Sequence, residues 1–408
     1  MSSSTSSRAL ENIQDPYDQN VVDSALDVIR KHLGMSVAYL SEFVDGRSIF
    51  RNVSAPGLEE LIDVGDSQSL EDVYCQHILE GRLPELIPDT SQEPICTALP
   101  ITQAIPIGSH MSIPIRLPDG RAFGMFCCLS PEPNLSLNSR DLETMRMFAD
   151  LAAAQVQRDH QARQDFEVKR ARVGSVVANS SFNIVFQPII DLLTMNTAGF
   201  ESLSRFSVEP VRSPDIWFNE AADVGLSTEL ELSAIEVALQ NLDRMICDTY
   251  LSVNVSPRTL LTDAFQTKMH SFDLSKVVLE ITEHAVIEDY DDVNRALAIL
   301  RQRGLRVAID DAGAGHSSLR HIVQLDPEFI KLDMSLTRNV DSDLARRALV
   351  SALVFYTRET SAQIIAEGIE TKSELDTLKL LGVSRGQGYY LGKPSTDALV
   401  ALEMQRAI

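Results

Sequence analysis

The sequence is poor in cysteine, in aromatic side chains and in long apolar runs. Its five cysteines among 408 residues are an odd number at spacings that match no zinc motif, which predicts reduced, buried thiols. No stretch approaches the roughly 20 apolar residues of a membrane helix, and the Ser-rich start lacks the apolar core of a signal peptide. These absences favour a cytoplasmic protein that does not enter the membrane.

Basic residues are also scarce. Lysine and arginine number 36 against 58 aspartates and glutamates, which gives a formal net charge of −22. A body this acidic repels a polyphosphate chain, so a nucleic-acid polymer is not expected as a partner. A small anionic ligand is still compatible, because a few local cations or metal ions reverse the field within one cleft.

Hydrophobic patterning divides the chain into four segments. Residues 1–18 are predicted to be a disordered tail, and residues 19–156 an α/β domain. Residues 157–178 predict a helical linker, because they are rich in charge and poor in apolar side chains. Residues 179–408 alternate eight short apolar runs with helix-length segments, which is typical of a parallel (β/α)8 barrel, with a doubly wound sheet as the alternative.

A heptad seam is present in the helix that ends the first domain. Its apolar residues, spaced alternately three and four apart, are Leu142, Met145, Ala149, Ala152 and Val156. Such a seam is compatible with a dimeric coiled coil or with packing of the helix on its own domain. Together with the charged linker that follows, it leads us to expect a homodimer.

Polar residues interrupt or end the predicted strands of the barrel. They are Glu201, Asn254, Glu280, Asp310, Asp311, Lys331, Glu367 and Gln387. Because the carboxyl ends of barrel strands meet at one face, we expect these side chains to share one site. So many carboxylates cannot stand close together as bare anions, since repulsion and desolvation would protonate several of them.

Divalent cations are the expected neutraliser of this acidic group. Oxygen ligands select hard ions such as Mg²⁺ or Mn²⁺, and the Asp310-Asp311 pair is suited to bridging two of them. A site with two ions favours hydrolysis of a phosphate ester. A carbohydrate hydrolase that uses two carboxylates is the less favoured alternative, because Asn254, Lys331 and the Asp pair would be superfluous there.

The segment 180–405 resembles the EAL domain family of cyclic di-GMP phosphodiesterases. The matching pieces, in the family's order and spacing, are Phe186-Gln-Pro-Ile189, Glu201-Ser-Leu-Ser-Arg205, Asn254, Leu279-Glu-Ile-Thr-Glu283, Asp310-Asp311, Lys331-Leu-Asp333, Glu367-Gly-Ile-Glu370-Thr and Gln387-Gly-Tyr. The middle Ala of the family signature is Ser202 here. The resemblance implies a barrel that hydrolyses cyclic di-GMP to linear pGpG.

The same resemblance implies roles for the matched residues. One ion, Mg²⁺ or Mn²⁺, would be held by Glu201, Asn254, Glu280 and Asp310. The second ion would be held by Asp310, Asp311 and Glu367. Catalysis would depend on Lys331, Glu201, Asp311, Glu367 and Gln387. Substrate would be contacted by Gln187, Leu203 and Arg205, and Glu283 would anchor the loop after the Asp pair.

That loop departs from the family pattern. It reads Asp311-Ala-Gly-Ala-Gly-His316, with Ala312 where the family has Phe. In the family the loop is linked to metal positioning and dimer contacts, so the loss of an aromatic side chain implies low basal activity. A receptor that binds cyclic di-GMP with little or no cleavage and signals to a partner is therefore the alternative function, although no implied metal ligand is missing.

Residues 19–156 resemble a GAF sensor domain. The resemblance rests on the opening helix, the strand around Tyr39 and the run Ile113-Pro-Ile-Arg, Asp119-Gly-Arg and Phe123-Gly-Met-Phe-Cys-Cys. It implies a small-molecule ligand, whose identity the sequence does not give, and regulation of the barrel through the dimeric helix.

Overall fold

The computed structural model describes residues 19–245, 249–282, 286–313 and 318–396. Glu283, the predicted loop anchor, and the predicted tail 1–18 lie outside the described residues. The chain forms two compact units, and the division falls between Asp165 and Phe166. Within the described residues, every helix is too short or too polar to span a lipid bilayer.

The first unit contains an antiparallel sheet of six strands in the order β3-β2-β1-β6-β5-β4. The strands are β1 Val37–Val44, β2 Arg47–Ser54, β3 Ser67–Ser69, β4 Leu86–Ile87, β5 Ser109–Arg116 and β6 Ala122–Ser130. Its helices are α1 Gln19–His32, α2 Tyr74–Leu79, α3 Pro94–Ala98, α4 Pro100–Ala104 and the first part of α5 Ser139–Asn179. The predicted α/β character of this region is confirmed.

The heptad seam packs inside this unit. Met145, Ala149, Ala152 and Val156 of α5 are at most 7% exposed and lie in one core with α1 and the sheet. Of the two interpretations that the spacing allowed, packing on the helix's own domain therefore accounts for these side chains.

The thiols of the described region are buried and free. They are Cys75, Cys96, Cys127 and Cys128. Burial raises the pKa of the Cys128 thiol to about 12, which keeps it protonated and unreactive. The prediction of reduced, buried thiols is confirmed for these four, and Cys247 lies outside the described residues.

The second unit is a closed barrel of eight strands, counted over the described residues. The strands are β7 Asn183–Asp191, β8 Thr197–Arg205, β9 Tyr250–Asn254, β10 Val277–Thr282, β11 Arg306–Ala312, β12 Phe329–Leu332, β13 Gln363–Ala366 and β14 Arg385–Gly386. The helices after α5 are α6 Pro214–Asp223, α7 Ser227–Leu239, α8 Pro257–Leu260, α9 Asp263–Met269, α10 Tyr290–Arg301, α11 Ser318–Leu325, α12 Met334–Thr337, α13 Leu344–Thr360 and α14 Lys372–Leu381.

One strand of the barrel corrects the expectation of a fully parallel arrangement. Strand β7 is antiparallel to both of its neighbours, β8 and β14. Only residues 192–196 connect β7 to β8. A parallel connection requires a crossover of a dozen or more residues, so this short link can form only an antiparallel hairpin.

The lower interior of the barrel is filled by one apolar layer. It consists of Ile189, Tyr250, Val278, Ala308, Phe329 and Ile365, each at most 3% exposed. The rings of Tyr250 and Phe329 stack with centroids 5.4 Å apart. Gly199 makes room for them, since a Cβ there would lie 2.7 Å from the tyrosine ring. This layer closes the barrel beneath the polar residues that follow it.

Candidate active site

The polar side chains form the next layer along the same strands. Successive residues of a strand point to opposite faces, so a residue two positions beyond an inward side chain also points inward. Glu280, Asp310, Lys331 and Glu367 each follow a member of the apolar layer by two positions. Gln187 precedes its member by two, because β7 runs in the opposite direction. The alternation of the strands therefore converts the sequence pattern into a single polar site.

Asp310 and Asp311 reach the site together because β11 contains a bulge. Between Ile309 and Ala312 the strand advances three residues, while its partner β12 advances two, from Ile330 to Leu332. Asp311 has a positive φ of 58°, which is uncommon outside glycine. In a regular strand these neighbouring carboxylates would point to opposite faces, and the bulge brings both of them to the site.

Lys331 lies at the centre of the acidic residues and is fully buried. Its Nζ lies 2.8 Å from a carboxylate oxygen of Glu280, 2.9 Å from one of Asp310, 2.8 Å from one of Glu367 and 3.5 Å from one of Glu201. One ammonium group balances only one of these four carboxylates. The site therefore keeps a negative excess that protons or further cations must neutralise.

The excess of negative charge is reflected in raised pKa values of the buried glutamates. Burial raises the pKa of Glu280 to about 8, against the opposing effect of Lys331, and Glu201 and Asp310 add to the rise. Burial likewise raises the pKa of Glu367 well above its usual value. For Lys331, burial favours the neutral amine, but the surrounding carboxylates hold its pKa well above the usual value. A charged lysine thus lies among carboxylates that are costly to ionise.

Divalent cations fit this donor set. The carboxylates form two groups, and within each group the ligand atoms lie within 4.8 Å of one another. The first group is Glu201, Glu280 and Asp310, and the second is Asp310, Asp311 and Glu367. The buried Oε1 of Glu280 has no hydrogen-bond partner among the described residues. The donors are oxygens, which suit Mg²⁺ or Mn²⁺. The five carboxylates and the Lys331 ammonium carry a formal charge of −5 + 1 = −4, which two divalent ions would balance.

Two glutamines support the site from β7 and β14. Gln387 donates from Nε2 to the carboxylate of Glu201 and, over 3.0 Å, to Oε1 of Gln187. Gln187 donates to the carbonyl of Gly392 at 3.2 Å and is 7% exposed. The predicted substrate residue Gln187 thus lies in a buried hydrogen-bond chain that orients Glu201.

A cleft of about 920 Å³ adjoins the acidic residues and is bordered by Asp311 and Asn254. The predicted substrate residues Leu203 and Arg205 line it as well. Its volume lies toward the upper end of ligand sites, which range over roughly 300–1,000 Å³. Arg205 is exposed there and donates to the carbonyl of Ser204 at 2.8 Å.

Sequence reasoning missed several residues that line the cleft. They are Asp215, Phe218, Asn219, Glu231 and Arg258. They follow β8 and β9 on helices α6, α7 and α8. Connections after the carboxyl ends of barrel strands form the rim of a site. These residues could therefore have been predicted from their position in the sequence, in the helices that follow β8 and β9.

Ala312, the residue that departs from the family loop, is 1% exposed at the end of β11. The next residue, Gly313, has a φ of 108°, and a Cβ there would lie 2.3 Å from Leu336. His316 in the same loop lies outside the described residues.

The fold and the site together place the chain among barrel proteins with an acidic, lysine-centred site at the carboxyl ends of the strands. A family model for the EAL domain matches residues 168–394, and one for the GAF domain matches residues 19–156. Because the EAL match covers more than half of the sequence, the chain belongs to the EAL domain family.

Individual known proteins resemble parts of the chain. A cyclic di-GMP phosphodiesterase of Pseudomonas aeruginosa is 28% identical over 236 residues, 54% of this chain and 39% of the relative. This chain therefore spans about two-fifths of that relative. The PaMucR phosphodiesterase in complex with c-di-GMP has a TM-score of 0.50 and 26% identity over 56% of this chain and 96% of its own. The EAL enzyme Bd1971, bound to cAMP and cyclic di-GMP, shares the fold, with a TM-score of 0.55 and 20% identity over 91% and 93%.

Proposed function

We propose that this protein hydrolyses cyclic di-GMP to linear pGpG with two divalent ions. The observation that carries the proposal is the pair of carboxylate groups that share Asp310 beside the large cleft. The names of the Pseudomonas relative and of the PaMucR structure support the choice of substrate.

The residues of the chain divide the chemistry among them. Glu201, Asn254, Glu280 and Asp310 would hold one ion, and Asp310, Asp311 and Glu367 would hold the other. When bound, two such ions would activate a water and stabilise the attacking and leaving oxygens of an in-line displacement.

Three further residues would bind substrate or support the site. Arg205, which lines the cleft, would bind a phosphate of the substrate. Lys331 would supply positive charge beside the reacting phosphate and help to hold the water. Gln387 would keep the Glu201 carboxylate in place through its hydrogen bond.

The test is an incubation of the full chain with cyclic di-GMP and either Mg²⁺ or Mn²⁺. We expect linear pGpG to appear on chromatography and to be absent when a chelator is added. Tight binding of cyclic di-GMP without product would instead favour the receptor function. The buried Lys331 and the complete carboxylate groups argue for cleavage, because a receptor needs neither.

A small cavity in the first unit is the candidate site for a regulatory ligand. It measures about 80 Å³ and is lined mostly by apolar side chains, with Ser48 and His110 among its few polar groups. Ser48 Oγ and His110 Nδ1 are buried and have no hydrogen-bond partner among the described residues. Burial lowers the pKa of His110 to about 4, so it is neutral at pH 7. The described residues that line the cavity include Asp66 but no lysine or arginine, which argues against an anionic ligand.

If this cavity regulates the barrel, filling it changes hydrolysis. Ile105 lines the cavity and is partly buried. We expect Ile105→Phe in the full chain to change the rate of pGpG formation by about five-fold, the lower range of ordinary allosteric coupling. Leu135→Phe is the matched control, because Leu135 is 78% exposed and is not among the residues that line the cavity. Equal rates for the wild type and Ile105→Phe, in buffer and in cell extract, would argue against this regulation.

Dimerisation remains a prediction, and so do the cytoplasmic location, the exclusion of nucleic-acid polymers and the domain limits. Since the α5 seam is buried in the first unit, pairing through this helix would use another face. Met147, Leu151 and Val168 are 68%, 57% and 60% exposed on α5. They lie at heptad-compatible spacings and are the candidates for such a face.

A further inference from the structure

Helix α6 presents different faces to the cleft and to the protein interior. Asp215, Phe218 and Asn219, at spacings of three and four, line the cleft. Glu220 and Ala221 lie on the buried side of the helix. The position of α6 therefore fixes one wall of the cleft.

The buried face of α6 is held by the last turns of α5. Arg172 donates from Nη2 to both carboxylate oxygens of Glu220 at 2.7 Å and from Nε at 3.2 Å. Arg212 donates to the same carboxylate from just before the helix. Val173 of α5 packs in one apolar cluster with Trp217 of α6. These contacts all lie within the second unit.

The Glu220 carboxylate is buried and accepts hydrogen bonds from two arginines. Glu220 is 8% exposed, and its forked contact with Arg172 is the strong, directional kind of charged hydrogen bond. Burial would raise the pKa of Glu220, but the hydrogen bonds from Arg172 and Arg212 lower it below the usual value. Nearby, Lys169 and Asp223 form an exposed pair at 2.9 Å between the same helices. Exposed pairs of this kind contribute little to stability, so α6 is restrained mainly by the forked contact and by the hydrogen bond of 3.0 Å that Arg170 donates to the carbonyl of Val224 at the end of the helix.

We propose that Glu220, held by Arg172, is a positioning residue that sets the α6 wall of the substrate cleft. Neither residue borders the cleft, so their effect passes through Phe218 and Asn219 on the opposite face of α6. The proposal rests on the proposed function, because the affinity for cyclic di-GMP is used to detect a change in the α6 wall of the cleft. It assigns the end of α5 a role in substrate affinity rather than in the chemical step.

The test is Arg172→Met in the full chain, which keeps the aliphatic stem and removes the forked donor. We expect KM for cyclic di-GMP to rise about five-fold while kcat stays within about two-fold, the pattern of lost binding rather than lost catalysis. Arg172→Lys should restore part of the affinity because it keeps one charged donor. If Arg172→Met proves poorly folded by thermal unfolding, Glu220→Gln supplies a milder change at the other end of the contact.

Two controls separate positioning from general stability. Lys169→Met removes the exposed pair between the same helices and should leave KM unchanged. Asn219→Ala removes a cleft side chain directly and should raise KM. If both changes act on one wall, the double variant Arg172→Met with Asn219→Ala should raise KM by less than the product of the single effects. The proposal would be overturned if KM of the double variant rose by the full product of the single effects. It would also be overturned if Arg172→Met left KM unchanged or lowered only kcat.

Failure of the proposed function would be recognised separately. A wild type that makes no pGpG with either metal contradicts hydrolysis, but the positioning role can still be read from binding. In that case calorimetry with cyclic di-GMP should give a Kd about five-fold higher for Arg172→Met than for the wild type. An equal Kd for the two proteins would remove the positioning role as well.

Discussion

Glu201→Gln is expected to reduce pGpG formation by about 1,000-fold or more, because several kcal/mol of charge stabilisation depend on an anionic ligand. The substitution preserves size, and the amide oxygen of glutamine can still accept the hydrogen bond from Gln387. What it removes is the negative charge, 3.5 Å from the Lys331 ammonium and beside Glu280 and Asp310. The readout is the rate of pGpG formation by chromatography at saturating Mn²⁺.

Glu328→Gln is the matched control for this experiment. Glu328 directly precedes β12 and therefore lies at the opposite end of the barrel from the site. Its carboxylate accepts from the backbone N–H of Val307 at 2.7 Å and pairs with Arg301. We expect its activity to stay within about two-fold of the wild type, since stability and not chemistry depends on these contacts. If Glu201→Gln retained a tenth of the wild-type rate, the ligand role of Glu201 would be wrong.

Much of the site was predictable because strand alternation is regular. Glu280, Lys331 and Glu367 each lie two residues after a buried apolar side chain in a short strand, so a correct strand assignment also fixes the direction of the side chain. The antiparallel β7 was missed for a different reason. Its apolar run looks like those of the other strands, and only the length of the link to β8 reveals its direction.

Other features depend on geometry that a sequence pattern does not carry. The bulge at Asp310 and Asp311 is needed for both carboxylates to reach the site, yet the sequence there is equally compatible with a strand that simply ends. The heptad seam of α5 has the same spacing whether it packs on a sheet or on a second helix. The wall formed by Phe218 and Asn219 appears only when α6 is placed beside the cleft.

Lys331→Met is expected to lower pGpG formation by about 100- to 1,000-fold, the cost of removing one charged group aimed at a reacting centre. Lys331 is fully buried and lies within 3.5 Å of four carboxylates, so methionine leaves those anions without their internal cation. Lys372→Met is the control, because the Lys372 side chain is 75% exposed and pairs with Asp376 in a surface contact at 3.5 Å. It should leave the rate unchanged.

The same variant gives a signature in stability that a purely catalytic role of Lys331 would not. The folded pKa values of Glu280 and Glu367 lie above the ordinary value of 4.5, so the stability they contribute is complete below pH 4.5 and is lost as the pH rises, through about 8 for Glu280. Lys331 opposes that rise in pKa, so its removal raises both values further and deepens the loss.

In chelator, the melting temperatures of wild type and Lys331→Met should therefore run parallel at lower pH and diverge as the pH increases from about 7 to about 9, because Glu280 ionises in the folded wild type near pH 8 but stays protonated in the variant. A difference of about 2 kcal/mol would separate them by roughly 4–8 °C in a barrel of this size. Added Mn²⁺ should narrow the gap at pH 8, because cations bound to the carboxylates replace the missing ammonium charge. Melting temperatures that stay parallel across this pH range would show that Lys331 does not neutralise the acidic site, whatever its effect on turnover.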